Sequence, residues 1–406
     1  MRINYLLRDL TWSGALKTHT GLINELANRG HDVSVTSLDN KANMKYPINQ
    51  KVDFIRVGKI SNSYLMNKIV TKLSHEKARA TLSFARAALN KVHPLLTIDL
   101  ERVLASHIPE CDVSIAIEDL CAYAIDRSRN GTAKFYHLQH YLPLFEGSKY
   151  YNNYYLYRQY MEVCRLPLNI TANSLWLQKK LKQELSVESQ YAPLIFLDTS
   201  IFNTKKKESE KLQRIFSDKS KHYIITLGKG GKGNEWKGLN NVFKALIYLK
   251  KKKPELKLHL IMYGNQPYLA DQCPVEHTYV KTPSENELAF LYQNADVAIT
   301  ASWAESLPFP PLEAMACGTK VITTRYGVED YAKDKYNAIV IDPLNTKMLA
   351  DAIFEVLRNP EYDALFRKNG PATVRRWDWK TQVDRYEKMY THAVTNPHDD
   401  GFDSAI

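Results

Sequence analysis

The chain has 406 residues, 44% of them hydrophobic and 24% charged, enough for two domains of ordinary size. Its 55 lysines and arginines exceed its 44 aspartates and glutamates by 11, which suits an anionic partner: a nucleoside diphosphate, a lipid phosphate or an acidic membrane face. The absence of helix-turn-helix, zinc-finger and RNP-like patterns argues against nucleic acid, no apolar run nears the ~20 residues of a membrane span, and the first residues lack a signal-peptide apolar core.

Ile3–Leu7 reads as a first strand, followed by a loop with Ser13-Gly14 and a helix over Leu16–Asn28 that stacks Leu22, Ile23, Leu26 and Ala27 on one stripe. Gly30 ends that helix, and Asp32–Ser37 is a second strand. Strand, glycine-containing loop, helix and strand open a doubly wound α/β domain. Val52–Val57 suits a third strand. Residues 63–92 form a helical stretch carrying Lys68, Lys72, His75, Lys77, Arg79, Arg86 and Lys91. Two readings stay open for it, a solvated face packed on the core and a basic amphipathic surface for anionic membrane.

Asp112–Ile117 and Lys134–Leu138 read as buried strands, the second running into His137, Gln139 and His140. The tyrosines between Tyr150 and Tyr160 share helical faces, for packing or for stacking on sugar. Asn173 or Ser174 caps a helix with Trp176, Leu177 and Leu181. The run KKKESEK, Lys205–Lys211, reads as solvated and flexible. Cys111, Cys121, Cys164, Cys273 and Cys317 have no C-x2-C pairing, which points to a reducing cytosol and away from zinc.

Tyr223–Leu227 starts a second domain, and the run Gly228–Gly233 after it satisfies G-x-G-x-x-G. A dinucleotide fingerprint opens its helix within the motif, whereas the next helical pattern here, Leu239–Leu249, begins beyond Gly233. Asn234 stands where a P-loop requires Lys, so NAD and ATP readings are both rejected. Lys257–Met262 is a strand ending in Tyr263-Gly264-Asn265. Thr278–Val280 is the next strand, and Ser284–Tyr292 a helix.

The stretch Asp296–Thr324 then reads as a strand over Val297–Ala301, a loop to Pro310, a short helix from about Pro311 to Cys317 closed by Gly318, and a new strand from Val321. Ligands gather at the carboxyl ends of strands in open α/β sheets. Glu305 and Glu313 lie eight residues apart across this loop and the first helical turn. The helix start offers unpaired N–H groups and a positive dipole end for phosphate. Carboxylates on either side of it could accept hydroxyls of a sugar and of a ribose. The plainer alternative is a dipole-complementing Glu313 and a solvated Glu305. Beyond Thr324 come a turn at Tyr326–Asp330, a strand in NAIVIDP, and helices over Thr346–Leu357 and Trp377–Ala393.

The block ESLPFPPLEAMACGTKVITT, with its E-x7-E glutamates, resembles the donor-site signature of retaining GT-B glycosyltransferases of glycosyltransferase family 4. RGHDVSVTS and YAPLIFLDTSIFN resemble that family's early first domain and its crossing into the second. The resemblance implies a GT-B fold, two Rossmann-like doubly wound domains facing across a cleft. Residues 1–195 would be the acceptor side and 196–379 the nucleotide-sugar side, with helix 380–394 returning to the first domain and 395–406 a frayed tail. It implies transfer of a sugar from a nucleoside-diphosphate donor, UDP first and GDP next, to the hydroxyl of a glycan, glycolipid or lipid-linked acceptor of the cell surface. Configuration would be retained, without cofactor or metal, in keeping with a chain that has no D-x-D. The enzyme would be cytoplasmic, at the inner face of the membrane. An epimerase or phosphorylase on the same fold, or a non-catalytic glycan-binding subunit, is disfavoured by the joint presence of both glutamates and both lysines.

Residue by residue, the resemblance puts Glu305 on the donor sugar and Glu313 on the ribose. The N–H groups of Ser306, Leu307, Phe309 and Leu312 would hold phosphates, since Pro308, Pro310 and Pro311 have none. Gly228-Lys229 stands where the family has Gly-Arg, and Lys237-Gly238 where it has Lys-Gly, so both lysines would clamp the diphosphate. Lys in place of Arg keeps the charge and loses the bidentate fork. Gly264 and Val280 would border the base, and Gly14 the phosphates, with Ser13 replacing the family's second glycine. His137 and His140 are both left open as the histidine that touches the donor sugar or acceptor hydroxyl.

Overall fold

The structure, a computed structural model, describes residues 1–8, 10, 14–44, 46–57, 100–141, 154–229, 234–267, 269–377 and 379–397. Ser13, the basic stretch at 63–92, most of the tyrosine run, the glycine loop at 230–233 and the end of the tail lie outside the described residues.

The first sheet holds β1 (Arg2–Leu7), β2 (Asp32–Ser37), β3 (Asp53–Arg56), β4 (Val113–Ala116), β5 (Ala133–Leu138), β6 (Asn169–Ala172) and β7 (Gln190–Tyr191). Its order is β3-β2-β1-β4-β5-β6-β7, every pairing parallel. The second sheet holds β8 (His222–Leu227), β9 (Leu258–Gly264), β10 (Glu276–Lys281), β11 (Val297–Thr300), β12 (Lys320–Thr324) and β13 (Ile339–Ile341) in the order β10-β9-β8-β11-β12-β13, again all parallel. Both orders reverse next to the first strand, the switch point of a Rossmann-type sheet. Central strands covered on both faces read as continuous apolar runs, and all five residues of β1 after Arg2 are buried, Asn4 included. Asn4 is tolerated because its amide donates to Ser34 Oγ and Thr36 Oγ1, both at 2.9 Å.

Helices α1 (Gly14–Asn28), α2 (Asp119–Arg127), α3 (Tyr154–Val163) and α4 (Leu175–Lys180) belong to the first domain. The second domain has α5 (Glu210–Gln213), α6 (Leu239–Lys252), α7 (Glu285–Asn294), α8 (Phe309–Ala316), α9 (Thr346–Arg358) and α10 (Pro360–Val374). Ser174, not Asn173, caps α4, its Oγ accepting from Leu177 N–H at 3.1 Å. Ser284 and Glu287 close a capping box on α7. The run Lys205–Lys211 is mostly exposed, as expected of a solvated charged segment. It lies along α7, with Lys207 N–H on Gln293 Oε1 at 2.9 Å and Lys211 on Glu287 at 3.0 Å.

The last helix, α11 (Trp379–Thr395), crosses back onto the first sheet. Val383, Tyr386, Met389 and Tyr390 are buried in one cluster with β1, β2, β4 and β5 residues. Arg29 pairs with Asp384 and Glu387, His31 Nε2 meets Glu387 at 2.6 Å, and Tyr386 Oη donates to Ala192 O at 2.8 Å.

Candidate donor site

The loop from β11 to α8 is fixed from both sides by backbone. Trp303 N–H donates to Trp236 O at 2.8 Å, tying it to the turn Glu235–Lys237. Gly238 follows that turn at φ +77°, and a Cβ there would stand 2.0 Å from Ala301 O. On the other side Gly327, at φ +67°, brings its backbone so close that a Cβ would stand 2.3 Å from Ser306 O. Only glycine allows both the conformation and the approach. Tyr331 Oη donates to Pro308 O at 2.9 Å and braces the end of the loop.

That framework delivers Lys237 to Glu305, Nζ to Oε1 at 2.5 Å, with both side chains largely buried. Lys229, from the end of β8, joins them. Burial holds its ammonium below the ordinary pKa, Lys237 pushes the same way and Glu305 partly offsets both. Gly228 keeps the strand end tight, its N–H on Tyr263 O at 2.8 Å and an added Cβ only 2.9 Å from the Tyr279 ring.

Helix α8 begins at Phe309, two residues earlier than expected, with Pro308 as its N-cap. Leu312 is the fourth helical residue, and its side chain has no exposed surface. The N–H groups of Ser306, Leu307 and Phe309 have no partner among the described residues. They form the anion-ready end of the helix.

Glu313, one turn on, accepts from Tyr292 Oη at 3.3 Å, and Tyr292 in turn pairs with Tyr263 Oη at 2.8 Å. Burial pushes the Glu313 carboxyl up to about 7, against the opposing pull of Lys17 and the Tyr292 hydrogen bond. Nearby, Thr282 at φ +45° donates its N–H to Gly264 O at 2.7 Å and joins the ends of β9 and β10. Val280 turns its side chain into the core and leaves backbone as what it can offer.

From the first domain, Gly14 opens α1 opposite the start of α8, and a Cβ on it would lie 3.8 Å from the Phe309 ring. Lys17, in the same first turn, forms an ion pair with Glu285 of α7. Sequence reading missed Lys17; its only signal was a cation on the first turn after Gly14. Ser306 is buried and engages the first domain, its Oγ 2.5 Å from Asn173 Oδ1 and 3.2 Å from Ser174 Oγ. Asp330 also crosses, accepting from Tyr191 Oη at 2.6 Å and from Leu175 N–H at 3.1 Å.

The two histidines part company. His140 is exposed to the cleft and feels the charges of Glu305 and Lys237, while the protein around it keeps its pKa below the ordinary value. His137 has no exposed surface. Its Nδ1 meets His19 Nε2 and its Nε2 meets Tyr390 Oη, both at 3.2 Å, beneath Tyr386 and Phe135. The expectation that kept His137 as a cleft residue is therefore corrected. Strand alternation turned it into the core, where burial keeps it neutral.

Two Rossmann-like domains whose strand ends face one cleft define the GT-B fold, and solved structures agree. Sucrose-phosphate synthase from Thermosynechococcus elongatus superposes with a TM-score of 0.73 at 15% identity, covering 97% of this chain and 99% of that one. Anabaena HepE in complex with UDP-glucose gives 0.68 at 16% identity, covering 96% and 99%. At such identities the likeness shows the fold. In sequence, residues 208–373 match the model of Glycosyl transferases group 1. An uncharacterized glycosyltransferase of Methanocaldococcus jannaschii is 24% identical over 198 residues, 46% of this chain and 49% of that protein. D-inositol 3-phosphate glycosyltransferase of Corynebacterium urealyticum is 22% identical over 187 residues, 43% of this chain and 44% of that protein. The matched region spans about half or less of these curated relatives.

Proposed function

We propose that the protein is a retaining glycosyltransferase that moves a sugar from a nucleoside-diphosphate sugar to an acceptor hydroxyl. The observation that carries this is the convergence of Lys229, the Lys237–Glu305 pair and three unpartnered amides on the space opposite the start of α1. The diphosphate lies against the N–H groups of Ser306, Leu307 and Phe309 with Lys229 and Lys237 at its oxygens. Glu305 then takes sugar hydroxyls, Glu313 the ribose diol, and the Gly264 and Val280 backbone the base.

In the reaction the bond from the sugar's anomeric carbon to the β-phosphate oxygen breaks, its electron pair leaving with the phosphate. The acceptor oxygen forms the new bond on the same face, and its proton passes to the departing phosphate. Fixed cations and amides stabilise the charge that develops there, so the resident chemistry needs neither metal nor added cofactor. His140 faces the donor sugar or acceptor hydroxyl in its neutral form. UDP is the first nucleotide to try, because HepE holds UDP-glucose. A cell-surface glycan or glycolipid acceptor is in keeping with WaaG, a lipopolysaccharide-biosynthesis glycosyltransferase that shares the fold at a TM-score of 0.64. The protein works in the cytoplasm at the inner membrane face, held by its basic surface. No helix among the described residues is long and apolar enough to cross a membrane.

The test is acceptor-dependent release of nucleoside diphosphate from a panel of UDP- and GDP-sugars offered with lipid-linked and soluble glycans. Release that tracks the acceptor, with the anomeric configuration kept in the product, supports the reading. Nucleotide binding without turnover on any pair would replace it with a non-catalytic glycan-binding role.

A further inference from the structure

The second domain is short of positive charge for a diphosphate. Lys237 is already neutralised by Glu305 at 2.5 Å, which leaves Lys229 as its remaining lysine at the site among the described residues. The first domain brings Lys17 to the same place. Gly14, three residues before it, packs toward Phe309, the first residue of α8. The Lys17 ammonium pairs with Glu285 and interacts with the charge of Glu313, one turn beyond Phe309. It therefore belongs to the neighbourhood of the start of α8 and of Glu313, where the donor reading puts a diphosphate and its ribose.

Its present partner is easily left. Glu285 is the first residue of α7, where free N–H groups and the helix dipole compensate a carboxylate, and its side chain is 41% exposed. Water can replace the ammonium there at small cost, as for half-exposed ion pairs in general. Glu313 has no such compensation and forms no ion pair within 4 Å among the described residues.

We infer that Lys17 is a third donor-binding cation, supplied by the first domain, held by Glu285 while the cleft is empty and handed to the donor's diphosphate when it is filled. Glu285 is then a competitor of the donor, and the exchange makes closure of the two domains depend on the nucleotide's phosphates. The inference rests on the donor reading above.

Calorimetric titration tests it with UDP, GDP and ADP, and then with the nucleoside matching the tightest of them. Lys17→Gln should weaken the nucleoside diphosphate about tenfold, the loss of one charge-assisted hydrogen bond, and leave the nucleoside unchanged. Glu285→Gln, which releases Lys17, should bind the diphosphate at least as tightly as the parent. Equal weakening by both variants would overturn the inference, because the pair would then only hold the domains together. An unchanged Lys17→Gln, or one that loses the nucleoside as well, would overturn it too. Glu313→Ala separates this from the underlying reading. If it abolishes binding while Lys17→Gln does not, only the inference fails. If no nucleotide binds the parent, the donor reading fails with it.

Discussion

The two walls of the cleft are built in different ways. On the second-domain wall, position comes from backbone: Gly238 and Gly327 press against the Glu305 loop from opposite sides, and amides at the start of α8 have no partner among the described residues. On the first-domain wall, the contributions are side chains that reach outward, Lys17 from α1 and His140 from the end of β5. A wall of backbone holds one ligand shape and tolerates little change. A wall of side chains can be retuned residue by residue. That division would suit the proposed function, with a donor half that grips a nucleotide diphosphate and an acceptor half that meets varied hydroxyls.

The largest effect expected is on the rigid wall. Lys237→Ala should lower turnover by ~10²–10³, as removal of one fixed charge-stabilising donor does, measured as steady-state nucleotide release. A loss of less than about fivefold would show that Glu305 held Lys237 for structure alone. Next comes the glycine contrast. Gly327→Ala should cost about 1–3 kcal/mol in stability from strain at positive φ, and weaken nucleotide binding, because its Cβ meets Ser306 O at 2.3 Å. Gly14→Ala, whose Cβ would find ordinary contact at 3.8 Å from Phe309, should leave the melting temperature unchanged. Equal destabilisation by both would erase the distinction between the walls.

The histidines sharpen the comparison within the first domain. His137→Ala should cost about 1–3 kcal/mol by orphaning Tyr390 and His19, with turnover per folded molecule retained. His140→Ala should do the reverse, lowering turnover at constant stability. The smallest effect is one of pH. The Glu313 carboxyl, raised to about 7 by burial, accepts ribose hydroxyls best once ionised, so nucleotide affinity should fall as pH falls through 7 and should be flat in Glu313→Gln. The same raised value means the native state keeps a proton that the unfolded chain has lost above its usual value of 4.5. Stability therefore declines from there up to about pH 7, and Glu313→Gln should remove that decline.

Most of this architecture was legible because its signals are local. Alternating strands and helices, the buried run after Arg2 and the Asn-Ser cap before Trp176 each follow from short-range chemistry. Helix α10 had no place in the sequence reading, and it runs through Gly370-Pro371. Gly370 serves close packing, an added Cβ lying 3.2 Å from Met315 O. The start of α8 slipped because two prolines marked N1 by preference, whereas Phe309 fills N1 and the prolines follow. At the site, residues in the E-x7-E block were readable and those acting across the cleft were not. Neither the Lys17–Glu285 pair, 268 residues apart, nor the burial of His137 under α11 leaves a trace in spacing.

The most direct measurement is a crystal structure with UDP, or whichever nucleoside diphosphate binds most tightly. The account predicts phosphate oxygens within hydrogen-bond reach, ~2.7–3.2 Å, of Leu307 N–H and Phe309 N–H, with the ribose diol on Glu313. A diphosphate held anywhere else in the molecule, or a ribose turned away from Glu313, would contradict it.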